Sequence, residues 1–222
     1  FDGDGRGLLA TAQAKLAGMG LSCLIGSDCE FYLFKTDESG EPTLEPHDKA
    51  GYLDVAPFDK GENVRRDICL TMERMGVKPL SSHHERGPGQ NEICFKGNDA
   101  LMAADDLLTF KTVVKAVANM NGLHASFMPK PLKDEIGSGL HITLSLLKDG
   151  DNLFEPSHLT SSKEAEGFVA GILARAKEMA VFLNPTINSY ERLENNEEIE
   201  AYNKIAWSYL NGRQLIRIKR DG

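Results

Sequence analysis

The sequence predicts an α+β fold, a mainly antiparallel sheet flanked by helices, and two observations carry that prediction. Short runs of β-branched and aromatic residues are interspersed with long amphipathic segments, without the regular strand–helix–strand rhythm of a parallel sheet. One run, Leu140 to Leu146, alternates cleanly: Leu140, Ile142, Leu144 and Leu146 share one face, and His141, Thr143 and Ser145 share the other. A chain of 222 residues is long enough to bury a substantial core in one domain or two.

Residues 7–19 read as a helix that stops at Gly20. Cys23 to Phe34 is rich in β-branched and aromatic residues and reads as a strand. Gly, Pro and Asp clusters make 36–61 an extended loop. A helix follows from Asn63 to Met75, with Val64, Ile68, Met72 and Met75 on one face and Gly76 as its stop. After a polar, glycine-rich segment, Asn91 to Phe95 reads as a strand. Residues 99–121 form a long amphipathic helix closed by Asn121-Gly122. The capping-box pattern Ser161-x-x-Glu164 opens a helix that runs to about Phe182. Leu215 to Lys219 is a short final strand, and no internal repeat or low-complexity linker interrupts the chain.

Composition narrows the partners. A formal charge of −8, with no Lys/Arg cluster, argues against a nucleic-acid partner, because phosphate backbones are bound by basic patches. An acidic chain suits cations held by oxygen ligands. Cys23, Cys29, Cys69 and Cys94 form no CxxC pair, which predicts reduced thiols and a cytoplasmic setting. No stretch is long and apolar enough to span a membrane, and no secretory signal pattern opens the chain.

Four constellations could carry chemistry. Asp28-Cys29-Glu30 lies within a predicted strand, so both carboxylates share a face opposite Cys29, Phe31 and Leu33. Acidic residues are disfavoured in strands, so the pair calls for either a solvated face or a bound cation. His83-His84-Glu85 precedes Gly87-Pro88-Gly89 and Gln90-Asn91-Glu92, and a glycine turn can bring Glu85 and Glu92 together. Clustered carboxylates repel unless a cation neutralises them, and Mg²⁺ or Mn²⁺ would; a polar loop is the competing reading. Gly137-Ser138-Gly139 just before a strand permits close backbone approach by a ligand, with His141 and Ser145 on the polar face beyond it. A short turn would explain the glycines equally well. Last, Asn184 to Arg192, with Arg213 and Arg217 further on, supplies arginines suited to carboxylate or phosphate, although surface ion pairs are their commoner fate. Taken together the inventory suits phosphoryl transfer from a metal–nucleotide to a carboxylate. No P-loop or kinase-type glycine loop is present.

The runs DCEFYLF, SHHERGPGQNEI, FMPKP with GSGLHITLSL, NPTINSYERL and QLIRI resemble, in order and spacing, the motifs of the glutamine synthetase family. The resemblance spans 1–222, read as one catalytic domain of that type with a sheet curved into a funnel. It implies an enzyme that makes glutamine from glutamate, ammonia and ATP through γ-glutamyl phosphate, with two Mg²⁺ or Mn²⁺ ions per site. By the same resemblance Glu30, Glu85 and Glu92 would hold the metal beside glutamate, and Asp28 and His141 the metal at the ATP phosphates. Glu30, Gly137, His141, Arg192 and Arg213 would contact substrate, with Gly137 at its amino-acid group and Arg192 on its carboxylate. Tyr52 would line the ammonium pocket, Glu200 (or, by an alternative match, Glu198) would be the flap glutamate, and Ser145, Arg217 and Thr143 would lie at the nucleotide.

The pattern also departs from the family. Asp28 stands where a glutamate is usual, Ile136 replaces an asparagine, Thr143 a histidine and Leu80 a glutamate. Gly212 takes the place of a phosphate-binding arginine, with Arg213 one position late, and the flap segment 194–202 lacks its usual Gly and Pro. The family's N-terminal β-rich domain and its last metal-ligand glutamate have no counterpart in these residues. The sequence therefore reads as a truncated catalytic portion, inactive in isolation, of a protein expected to form homo-oligomers. The departures leave room for a larger amine as substrate or for a non-catalytic assembly role.

Overall fold

The computed structural model describes residues 3–155, 162–194, 202, 204–209 and 213–218. The chain divides into two compact units, one made of Gly26–Asn98 and Met102–Thr143, the other of Phe1–Ile25, Asp99–Leu101 and Leu144–Gly222.

The first unit is built on β1 (Leu21–Thr36), whose residues from Gly26 onward belong to it. Antiparallel partners flank β1: β4 (Gln90–Phe95) on one side and β6 (Leu123–Ser126) on the other, with β2 (Pro42–Pro46) pairing its end and the two-residue β5 (Asn98–Asp99) also pairing with β1. A further strand, β3 (Pro79–His84), pairs antiparallel with β4, giving the neighbour order β3-β4-β1-β7, where β7 is Leu140–Lys148. Helices α2 (Glu62–Arg74) and α3 (Ala100–Met120) complete the unit. The odd-numbered β1 residues Cys29, Phe31 and Leu33 enter one core with Ile93 and Phe95 of β4, Val64, Ile68 and Met72 of α2, and Phe110, Val113, Val114 and Val117 of α3. Phe110 meets the rings of Phe31 and Phe95 edge-on at 6.0 and 4.7 Å. The core therefore takes one face of the sheet, and the even-numbered carboxylates of β1 are left on the other.

The second unit contains α1 (Gly5–Gly18), capped by the Asp4 carboxylate on the Arg6 and Gly7 amides. Its strands are the end of β7 with β8 (Asp151–Asn152), and a parallel pair, β9 (Lys204–Ser208) with β10 (Gln214–Arg217). Among the described residues two helices follow the hairpin, α4 (Lys163–Leu183) and α5 (Ile187–Glu194). Leu146, Leu153 and Ala165 form its small core, with Leu16, Leu21, Phe154 and Phe168 packed against them. The α+β class with a mainly antiparallel sheet is as predicted. No helix among the described residues is long and apolar enough to cross a membrane.

Several local expectations are corrected. The helix predicted to start at the Ser161 box is capped by Ser162, whose Oγ accepts from the Ala165 amide at 3.1 Å. Glu164 instead pairs with Lys148 at 2.7 Å. Met75 lies past the end of α2 and is exposed, and Arg65 joins the buried face in its place. The loop predicted for 36–61 contains β2, and the polar stretch before Gly87 contains β3. Lys219, in the predicted last strand, lies outside the described residues. The apolar row of β7 is also uneven: Leu146 is buried, but Leu140 and Ile142 are 42% and 49% exposed. Alternation sets which side chains share a face, not whether another layer covers that face.

Candidate metal centre

Register brings the acidic residues together. Glu30 on β1 is the direct partner of Glu92 on β4, and Glu92 is in turn the partner of His83 on β3. Directly opposed side chains lie roughly 5 Å apart at Cβ, so Glu30, Glu92 and His83 form a row across three strands. Asp28 is paired with Cys94 one pleat away on the same face.

Glu85 reaches this row through the glycine turn. Its amide donates to the Gln90 carbonyl at 2.8 Å, and the Gln90 amide donates to the Gly87 carbonyl at 2.9 Å. Gly89 adopts φ 69°, a left-handed conformation that glycine enters without steric cost. The turn places Glu85 Oε1 2.8 Å from His83 Nε2, with Glu92 Oε2 3.7 Å from the same nitrogen. The donor atoms of His83, Glu85 and Glu92 all lie within 4.8 Å of one another, as do those of Asp28, Glu92 and Cys94.

Burial, reinforced by a hydrogen bond and repulsion from Glu85, pushes the Glu92 carboxyl up to about 7 against the opposing pull of Cys94 and His83. A carboxyl so raised holds its proton more readily, and a divalent cation could take that proton's place. One imidazole and several carboxylates are donors suited to Mn²⁺ or Mg²⁺, so these residues fit a divalent ion. Burial is also the main reason that the Cys94 thiol, which donates to Glu92 Oε1 at 3.1 Å, is held protonated well above its ordinary value.

The predicted ligands are distributed as follows. Glu85 and Glu92 converge, and His83 joins them. Glu30 faces Glu92, but its Oε2 accepts from the Gln90 side chain at 2.8 Å and from the Gly139 amide at 2.9 Å. Asp28 meets Glu92 and Cys94. His141 and Thr143 are half-buried on β7 in the same unit, and His141 belongs to none of the three three-donor groups among the described residues. Gly137 is buried in the segment before β7. Tyr52 lies edge-on to His83 at 5.7 Å, with the Arg86 guanidinium over its ring at 5.2 Å, so it borders the carboxylate cluster. Ser145, Arg192, Arg213 and Arg217 belong to the second unit. Glu200 and Gly212 lie outside the described residues.

The tandem histidines point to opposite faces. His84 is fully buried beneath the sheet, with Nε2 2.9 Å from Asp48 Oδ1 and Nδ1 2.6 Å from the Glu85 carbonyl. Both ring nitrogens face acceptors, which requires the imidazolium form. Burial opposes that charge, but hydrogen bonds from the ring to Asp48 and the Glu85 carbonyl outweigh it and raise His84 above its ordinary value. Burial likewise works against the Asp48 carboxylate. It is nevertheless held well below its ordinary value by His84 and by the Lys60 and Gly89 amides at 3.0 and 2.9 Å. Asp59 is bound by Arg65 through both Nη atoms. Asp48, Asp59 and His84 also group their donor atoms, but here the cations are the protein's own.

The sign of the pH dependence follows from these shifts. The stability owed to Asp48 is complete above its unfolded value of 3.8 and is lost as pH falls below it. The stability owed to His84 is complete below 6.5 and is lost as pH rises through its raised value. Denaturant unfolding of the wild type and Asp48→Asn should therefore differ most near about pH 5 and converge towards acid. A difference independent of pH would remove the charged pair.

Sequence reasoning puts His83 and Gln90 within the second constellation without giving either a role, and passes over Asp48. With β3 recognised, the i, i+2 spacing of His83 and Glu85 would put them on one face.

Comparison with known proteins agrees with the resemblance. The family model for the glutamine synthetase catalytic domain matches residues 2–222. The glutamine synthetase of Clostridium saccharobutylicum is 50% identical over 220 residues, covering 98% of this chain and 49% of that protein. The Staphylococcus aureus (strain MW2) enzyme is 46% identical over 98% of this chain and 49% of its own. Among solved structures, Plasmodium falciparum glutamine synthetase superposes with a TM-score of 0.83 at 29% identity, over 96% of this chain and 47% of that one. An ADP complex of GmaS superposes with a TM-score of 0.84 at 34% identity, over 96% and 51%. The chain thus spans about half the length of the curated relatives it matches.

Proposed function

This chain belongs to the glutamine synthetase family through its catalytic domain, and on that premise we propose that it carries the metal-binding part of a glutamate–ammonia ligase site. The observation that carries the reading is the convergence of His83, Glu85 and Glu92 on the sheet face shared with Glu30 and Asp28. In this reading Glu30, Glu85 and Glu92 hold one divalent ion, and Asp28 and His141 hold a second. Such ions would neutralise carboxylate and phosphate charge and orient ATP.

The reaction is a two-step transfer. An oxygen of the glutamate side-chain carboxylate attacks the γ-phosphorus of ATP, and the bond to ADP breaks, leaving γ-glutamyl phosphate. Ammonium gives up a proton to a carboxylate or water, the resulting ammonia attacks the acyl carbon, and the adduct loses a second proton to solvent as phosphate leaves, giving glutamine. By the family resemblance Gly137 would lie against the substrate's amino-acid group, and Arg192 would hold its carboxylate, which suits a guanidinium's planar fork. Tyr52, held against His83 and Arg86, lines the ammonium side, where aromatic faces favour cations. By the same resemblance Ser145, Thr143 and Arg217 would be nucleotide contacts, Arg213 a substrate contact, and Glu200 the flap glutamate. Support for the nucleotide comes from a family relative solved as an ADP complex. Residues 1–222 act as part of one catalytic domain, and the complete protein is a homo-oligomer, as the family resemblance implies.

Calorimetric titration of the full chain with Mn²⁺ tests the metal assignment. The unaltered chain should bind, and Glu85→Ala should weaken binding at least ~100-fold, the upper range for losing even an outer-shell partner. Equal affinity in the variant would take Glu85 out of the ligand set. Absence of binding by the unaltered chain would dismiss the assignment altogether.

A further inference from the structure

The segment 135–139, which precedes β7 and contains Gly137, is fastened residue by residue. Lys130 Nζ donates to the Glu135 carbonyl at 2.5 Å, Tyr32 Oη to the Ile136 carbonyl at 2.5 Å, and Gln90 Nε2 to the Gly137 carbonyl at 3.1 Å. The Ser138 amide donates to the Pro129 carbonyl at 2.8 Å, and the Gly139 amide to Glu30 Oε2 at 2.9 Å. Three successive carbonyls are thus held by three buried side chains from three different parts of the fold. None of these donors has ready access to water, so releasing any carbonyl leaves a buried polar group unsatisfied.

Gln90 does more than hold a carbonyl. The same Nε2 donates to Glu30 Oε2 at 2.8 Å, so its two hydrogens are divided between the metal-ligand carboxylate and Gly137. Its Oε1 accepts from the Gly87 amide at 2.9 Å, and a backbone N–H can only donate, which fixes which end of the amide is which. Fully buried and with every polar atom used, the carboxamide is a planar, rigid link. Its nitrogen end meets both the carboxylate on the acidic face and the glycine segment, and its oxygen end is anchored on the Gly87 turn.

We propose that Gln90 is a positioning residue that couples the cation site at Glu30 to the amino-acid site at Gly137, so that each ligand strengthens binding of the other through this one amide. The inference rests on the metal and glutamate reading above. A cation at Glu30 fixes the carboxylate, the carboxylate fixes the amide, and the amide fixes the direction of the Gly137 carbonyl. Coupling of this kind is reciprocal by linkage. The Tyr32 hydroxyl holds the same segment at the Ile136 carbonyl, next to Gly137, and so serves the amino-acid site.

Titrations of the full chain with Mn²⁺, with L-glutamate, and with L-glutamate at saturating Mn²⁺ distinguish these roles. In the unaltered chain Mn²⁺ should tighten L-glutamate binding. Gln90→Met should weaken each ligand about 10-fold, the loss of one buried hydrogen bond per side, and should abolish the tightening. Tyr32→Phe, which deletes one oxygen, should weaken L-glutamate about 3- to 10-fold and leave Mn²⁺ affinity and the tightening unchanged. A purely structural role would lower the melting temperature of both variants without changing the tightening, and that result would overturn the proposal. So would unchanged L-glutamate affinity in Tyr32→Phe, which stands as the test even if Gln90→Met does not fold. An unaltered chain that takes up neither ligand would overturn the parent reading first.

Discussion

Replacing Arg65 with methionine is expected to lower the unfolding free energy by about 3–5 kcal/mol, the range for removing one partner of a buried ion pair. Arg65 is 4% exposed, and its guanidinium lies 3.1 and 2.5 Å from the two oxygens of Asp59, with Nη1 2.6 Å from Asn91 Oδ1. Without it, the buried Asp59 carboxylate retains the Gly61 amide at 2.9 Å but loses the cation bonded to both its oxygens. Equilibrium urea unfolding followed by circular dichroism measures the loss. Arg65→Lys should recover little, because a single ammonium cannot reproduce the fork. The double variant, Arg65→Met with Asp59→Asn, should lose clearly less than Arg65→Met alone, since no unpaired charge then remains. If the double variant were the less stable one, the explanation through an uncompensated carboxylate would fail.

Gly87→Ala is expected to cost ~3 kcal/mol or more, at or beyond the usual upper end for overpacking. A Cβ at this position would lie 1.9 Å from Tyr32 Oη, 2.8 Å from its Cζ and 2.9 Å from Gln90 Oε1. Tyr32 cannot swing aside, because it is fully buried, stacked on Phe34 at 5.7 Å and bonded through its hydroxyl to the Ile136 carbonyl. The clash also bears on the two residues that fasten the glycine segment, so Mn²⁺ affinity should fall together with stability. Combining Gly87→Ala with Tyr32→Phe removes the nearest oxygen and should restore part of the loss. Thermal unfolding of the two single variants and the double variant decides the matter: additive losses would mean that the alanine strains something other than the tyrosine.

Much of the fold could be read from local pattern. The strand through Asp28, the helices ending at Gly20, Gly76 and Gly122, and the opposition of Cys29, Phe31 and Leu33 to the acidic residues all follow from period, caps and turn residues. β3 was not legible, because Leu80, Ser81 and Ser82 are exposed and show no apolar alternation. That strand exists because β4 offers it a hydrogen-bonding edge, an interaction between segments that only folding brings together.

By itself the sequence determined which carboxylates share the sheet face of β1, that a glycine turn separates Glu85 from Glu92, and which family's motifs the chain carries. Tertiary structure alone decided that His83 joins those carboxylates while His84 is buried with Asp48, that Gln90 binds Glu30 and Gly137 at once, and that Leu140 and Ile142 stay exposed. The division has a physical cause. Periodicity fixes the direction of a side chain relative to its own backbone, whereas its partners are set by strand register and by segments far away in the chain.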